Sequence, residues 1–227
     1  MDLDIQVQKL KLLKSNFLSE KYALEDKVIK YYPQRITALE NRIEGLKQDV
    51  ETAKQHPNPT DDRFVGMEVK GGFYSEKAEA GKAIIEACKQ MNSPDPISLG
   101  KYRGLDTELL FNSTERTYEV KLKGATSRNI TLGDDAYGNI TRLDNGIEKF
   151  AESLTFAENE LENTQNQFEI AKKEVQKPFA QEEDLKAKLS RLDELNILLN
   201  MDKTENEIVG GEPDESEKPQ KSRGQER

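Results

Sequence analysis

The stretch IEKFAESLTFAENELENTQNQFEIAKKEV, residues 147–175, puts Ile147, Phe150, Leu154, Ala157, Leu161, Thr164, Phe168, Ala171 and Val175 at alternating steps of three and four. Such spacing draws one apolar stripe along a helix. At 1.5 Å per residue the helix would be roughly 43 Å long, and a narrow heptad stripe is buried only against another helix. The search for its partner organises the rest of the chain.

Upstream, Ile36, Leu39, Ile43, Leu46, Val50 and Ala53 repeat at three and four, predicting a helix over 34–55 that ends at the breaker His56-Pro57-Asn58-Pro59. Before it, Leu3, Leu10, Phe17, Leu24 and Tyr31 recur every seven residues, with Val7, Leu13 and Val28 in support, so 4–31 reads as another heptad helix. Pro33 removes a backbone donor and crowds the preceding turn, which predicts a stop or kink at Tyr31-Tyr32. Downstream, Pro178 ends the long helix, and Leu185, Leu189, Leu192, Leu195 and Leu199 form the stripe of a helix over 182–200. Residues 201–227 are rich in Glu, Lys, Ser, Pro and Gly and are expected to be a disordered tail.

Between these helices the period changes. Phe64 to Val69 reads as a strand, Gly71-Gly72 as a turn, and Ser75 as the cap of a helix over 76–91 whose apolar face is Ala80, Ile84, Ala87, Cys88 and Met91. Strand-like runs follow at Ile97 to Arg103, Leu105 to Phe111, Arg116 to Lys123, Asn129 to Leu132 and Asn139 to Leu143, and Asp144-Asn145-Gly146 is expected to cap the long helix. The expected fold is therefore α+β. Long antiparallel coiled-coil helices form a stalk, with a small domain of antiparallel sheet plus one helix inserted at its tip. The divisions are 1–56 (broken near Pro33), 61–145, 146–200 (broken near Pro178) and the tail 201–227. Ile36 to Ala53 is the nominated partner of Ile147 to Val175, whose surplus length should meet the chain near Pro33 and 17–31. Pairing of the same seams between two chains, a homodimer, stays open.

Composition narrows the function. Hydrophobic and charged residues each make up 34% of the 227, there is no Trp, and the net charge is −9, with the surplus acid chiefly in 147–227. A chain of that sign is a poor sequence-independent binder of nucleic acid unless a local basic face survives. One cysteine, Cys88, excludes an internal disulfide, and neither a signal peptide nor a long apolar run is present, so the expectation is a cytoplasmic protein without a membrane span. His56 is the sole histidine and stands on a breaker, which leaves no metal set and no His-based triad. Gly81-Lys82 lacks the earlier glycine and the following Ser or Thr of a phosphate loop, those places holding Glu76 and Ala83. No cofactor is expected. The remaining candidate is a face for nucleic acid or a protein partner built from Tyr102, Arg103, Arg116, Lys121, Lys123, Arg128 and Arg142 on neighbouring strands. Glu119, Glu108 and Asp106 lie among those cations, the pattern of an ordinary solvated sheet.

Several strings carry a family resemblance: Lys11-Leu12-Leu13-Lys14, Lys21-Tyr22-Ala23-Leu24-Glu25-Asp26, Tyr31-Tyr32-Pro33-Gln34, Glu76-Lys77-Ala78-Glu79-Ala80-Gly81-Lys82-Ala83-Ile84, Gly100-Lys101-Tyr102-Arg103-Gly104, Gly138-Asn139-Ile140-Thr141-Arg142, Lys177-Pro178-Phe179 and Leu198-Leu199-Asn200-Met201-Asp202-Lys203. Together they resemble the far C-terminal region of the very large SNF2-type helicase and DNA methylase-like proteins of bacterial conjugative transposons. The likeness runs to about Val209. It implies an association with DNA handling by a mobile element and a protein partner in the helicase, methylase or conjugation machinery. It carries over no catalytic residue, since the chain has no Asp-Glu-x-His box and no Asn-Pro-Pro-Tyr motif, for which Asn58-Pro59-Thr60 is no substitute. The expected function is a non-enzymatic accessory or interaction module, with nucleic-acid binding through the strand cations as the alternative.

Overall fold

The computed structural model describes residues 2–59, 63–93 and 95–209, with backbone alone over 201–209. The fold is α+β. In chain order the elements are α1 (Leu3–Asp26), a π-helical turn (Lys27–Tyr31), α2 (Tyr32–Gln55), β1 (Met67–Val69), β2 (Gly72–Tyr74), α3 (Lys77–Lys89), β3 (Ile97–Tyr102), β4 (Leu105–Asn112), β5 (Thr117–Lys123), β6 (Ser127–Thr131), α4 (Ala136–Val175) and α5 (Glu182–Val209). No helix among the described residues is long and apolar enough to cross a membrane.

Three sequence expectations need correction. Pro33 does not stop the first helix: α1, a π turn and α2 follow one another as helix over 53 residues, and the departure from α geometry is the π turn that ends at Tyr31. The Tyr32 N–H reaches back five residues to the Lys27 carbonyl. That wider turn makes room for the proline ring, which an α-turn would drive into a carbonyl. Second, Asn139 to Leu143 is not a strand but the opening of α4, where Asp135 accepts from the Asn139 and Gly138 N–H groups through its carbonyl and its Oδ2. Ile140, Leu143 and Ile147 extend the helical stripe upstream, so Asp144-Asn145-Gly146 lies inside the helix and the expected 145/146 division falls within it. Third, the turn expected at Gly71-Gly72 is Lys70-Gly71, both at positive φ, and Gly72 opens the unanticipated strand β2. The break at Pro178 stands between α4 and α5. The α5 backbone continues through 201–209 of the expected tail, and 210–227 lie outside the described residues.

The chain divides into two compact units, residues 25–174 and residues 1–24 with 175–227. In the larger one, β3-β4-β5-β6 make an antiparallel meander and β1-β2 a separate hairpin. Leu99, Tyr102, Leu105, Leu109, Val120 and Leu122 line the buried face of the meander. They share one core with Ala80, Ile84 and Ala87 of α3, with Ile140, Leu143, Ile147, Phe150 and Ala157 of α4, and with Ile43 and Leu46 of α2. Antiparallel contacts between α2 and α4 continue away from the sheet: Arg35 pairs with Glu160, and Tyr32 stacks on Phe168 at 5.5 Å. The two seams therefore meet within one chain. In the smaller unit Val7 and Leu10 of α1 pack on Leu185 of α5, Lys14 pairs with Glu182 at 2.7 Å, and Phe17 lies 5.5 Å from Phe179.

Two close approaches fix the larger core. Gly81 faces the first turn of α4, where a Cβ would stand 2.0 Å from the Ala136 carbonyl oxygen. Its role is helix packing, which accounts for a glycine at Gly81-Lys82 without a phosphate. Asp49 of α2 is buried and receives the Ala125 and Thr126 N–H groups at 2.7 and 2.8 Å, together with the Thr126 hydroxyl, stapling the β5–β6 turn to the helix. Asp49→Ala would take the acceptor from the partly buried bonds of the Ala125 and Thr126 N–H groups, a cost of about 1–2 kcal/mol. Urea unfolding should show the midpoint falling at unchanged slope, with a smaller loss for Asp49→Asn, which keeps an acceptor; a variant as stable as the parent would remove the staple from the account.

Candidate functional site

The seven residues expected on one face are dispersed by the fold. Tyr102 points into the core and is 1% exposed, and Arg103, 5% exposed, turns inward from the β3–β4 turn in a left-handed conformation at φ +46°. Both meet Asp144 of α4. Its Oδ1 accepts the Tyr102 hydroxyl at 2.6 Å and Arg103 Nη1 at 3.3 Å, and Lys77 Nζ stands 3.9 Å from Oδ2. Arg103 also donates through Nε to the His56 carbonyl and through Nη2 to Glu148, each at 2.9 Å. Burial, and then the hydrogen bond and charge of Asp144, push the Tyr102 phenol well above its ordinary value. These groups saturate one another and join α2, α3, the sheet and α4. They form a structural hub, not part of an exposed face.

On the opposite face of the sheet charges alternate. Lys123 pairs with Glu108 at 2.9 Å, a contact that raises the lysine pKa, and Lys101 lies 3.8 Å from Asp106. Lys121 stands across from Glu108 on β4 and Asn129 on β6, and the Asn129 amide donates to Glu119 at 2.8 Å. Arg116 is exposed in the β4–β5 turn at φ +55°. The result is a salt-laced, nearly neutral surface, whose individual pairs contribute little.

Arg128 and Arg142 do come together, along the free edge of β6. Arg128 leaves the sheet on its core side, its guanidinium 5.4 Å from the Phe150 ring and bonded to the Lys149 carbonyl and the Ser153 hydroxyl of α4. Arg142, exposed, donates to Asn139 Oδ1 at 3.0 Å, and Asn139 is itself clamped to Gly133 by two further bonds. With Lys149 and Asn145 they line a groove of about 330 Å³ between β6 and α4. The close fit of the walls comes from Gly146, where a Cβ would meet Ile130 at 2.4 Å. Sequence reasoning missed Lys149, Asn145 and the strand edge. Recognition that the 3.6-residue period begins at Ile140 would have placed Arg142, Asn145 and Lys149 on one face of α4.

A second cleft of about 440 Å³ lies beside Arg103 and Glu148 over a floor that includes Val50, Ile147 and Phe150; there the Asn58 Oδ1 is buried without a hydrogen-bond partner. Among the described residues no group of His, Cys, Asp and Glu is arranged to hold a metal ion. Comparison with protein-family models, with curated proteins and with solved structures gives no match.

Cys88 and Tyr102 together yield a pH dependence. Burial raises the Cys88 thiol to about 11 and holds the Tyr102 phenol higher still, so the unfolded chain loses both protons first. Folded values raised in this way mean stability that is intact below the ordinary thiol range, about pH 8.5, and falls as pH climbs through it and then through the phenol range near 10. Urea midpoints measured from pH 7 to 11 should be level and then decline in two stages. Cys88→Ala should remove the earlier stage; a parent midpoint level to pH 10 would contradict burial of Cys88, and one with no further decline between pH 10 and 11 would contradict burial of Tyr102.

Proposed function

We propose that the chain is a non-enzymatic interaction module in which a coiled-coil stalk, built from α2 and α4, carries the small α+β domain at its tip and presents it to a protein partner. The observation that carries this reading is the continuous α2–α4 seam, from the shared core of Ile43, Leu46, Ile147 and Phe150 out to the Tyr32–Phe168 stack. Long paired helices of this kind act as spacers and docking surfaces. The ionisable groups inside the domain are matched to one another around Asp144 and serve cohesion. The resemblance carried by the strings quoted above supplies the partner class: a helicase or DNA methylase-like protein of a mobile genetic element, or its conjugation machinery.

A second reading, in which the module binds nucleic acid, is favoured by one observation, the convergence of Arg128, Arg142 and Lys149 on a single groove. Its site is then that groove, not the opposite face of the sheet. Two measurements on the purified chain separate the readings. ATP turnover and methyl transfer to DNA should both stay at background, and measurable turnover of either would sink the interaction-module reading. In filter binding at low salt, duplex and single-stranded DNA should be retained weakly, with less than about a tenfold loss for Arg142→Glu with Lys149→Glu. Tight retention abolished by that pair of changes would establish the nucleic-acid reading instead.

A further inference from the structure

The edge of β6 carries an unused hydrogen-bonding row whose direction the register fixes. The Leu132 N–H donates to the Tyr118 carbonyl at 2.8 Å and the Gly124 N–H to the Thr126 carbonyl at 2.9 Å. Ile130 stands opposite Val120 and Arg128 opposite Leu122, so the bonded positions of β6 are the even-numbered ones. Antiparallel alternation then turns the N–H and C=O groups of Ser127, Asn129 and Thr131 away from β5. β6 is the last strand of its sheet. Asn129 and Thr131 line the groove with Arg128, Arg142 and Lys149, and no carboxylate lines it.

Resting on the interaction-module reading, we infer that this edge is a docking site for an extended acidic segment of a protein partner, which adds as a fifth strand beside β6 with its carboxylates toward Arg142 and Lys149. A peptide backbone brings donors and acceptors at the two-residue period that the edge presents. A phosphodiester brings acceptors only, and would leave the outward carbonyls of Ser127, Asn129 and Thr131 unpaired. A second copy of β6 would set the same cations against one another. Charge complementarity therefore selects an acidic strand over nucleic acid and over self-pairing.

The test is fluorescence polarisation of the full chain with a short labelled peptide alternating valine with glutamate. Asn129→Pro deletes one outward N–H without touching a bond to β5, a change that edge strands accept. It should weaken binding about five- to tenfold, as the loss of one backbone bond would. Asn129→Ala, which keeps the N–H, should bind as the parent does, and Lys149→Glu should cost about tenfold or more. Circular dichroism should match the parent for all three. The same peptide N-methylated at the residues whose N–H groups face β6 probes the backbone bonds from the other side and should bind more weakly than the peptide does to Asn129→Pro, since several bonds are lost and not one. If Asn129→Pro and the N-methylated peptide both bind at full strength, strand addition is wrong. A single-stranded oligonucleotide that displaces the peptide and is indifferent to Asn129→Pro would assign the groove to nucleic acid. Binding by neither probe overturns the docking site yet leaves the interaction-module reading to its own turnover assay.

Discussion

The larger unit depends on one buried carboxylate. Asp144 sits on α4 facing the sheet, where a lone charge would cost several kcal/mol to desolvate. It is tolerated because Tyr102 and Arg103 donate to one of its oxygens and Lys77 lies near the other. Those partners come from two other parts of the fold, Tyr102 and Arg103 from the end of β3 and Lys77 from α3, so α4 can approach the sheet only in the register that completes the set. Arg103 extends the constraint to the end of α2 through the His56 carbonyl. The apolar core supplies most of the free energy by area and resists slides through close packing. The Asp144 network adds a directional penalty to them.

Asp49 performs a related task at the same end of the strands, tying the β5–β6 turn to α2. Between the two carboxylates α2 is held at both edges of the meander, and α4 spans the same face. Forty residues long, α4 serves as a common wall: its first turns close the core, Asp144 and Glu148 form the polar hub, Arg142 and Lys149 line the groove, and Glu160 and Phe168 continue along α2.

Much of this was legible in the sequence and the remainder was hidden for identifiable reasons. The heptad stripes of 36–53 and 147–175 and the four strands between Ile97 and Thr131 follow from period and turn residues, and the structure has them. The start of α4 was obscured because Gly138-Asn139 and Asp144-Asn145-Gly146 are turn formers by propensity. Tertiary contact overrides them, with Asn139 bound to Gly133, Asp144 to the hub and Gly146 pressed on Ile130. Pro33 misled because a π turn is invisible to a propensity rule that assumes α geometry. The candidate cations misled for a different reason. Strand alternation says which residues share a face, but it does not say that Arg103 occupies a left-handed turn and folds back into the core.

That last point bears on how charge is used across the domain. A residue count finds a cluster of basic side chains on adjacent strands, yet cations matter to a partner only after internal obligations are met. Arg103 is spent on Asp144 and Glu148, Lys123 on Glu108, and Lys101 lies near Asp106. Arg128 is committed to Ser153 and the Phe150 face, so it stiffens the groove more than it attracts a ligand. Arg142 is anchored through one nitrogen to Asn139 and remains exposed, and Lys149 is exposed beside it. At the β6 edge Arg142 and Lys149 therefore keep an attraction for a ligand even though the chain as a whole is acidic. An exposed strand edge is ordinarily an aggregation hazard, and cations beside it are a familiar defence. The same two side chains that repel a second copy of this edge leave it open to a strand of opposite charge.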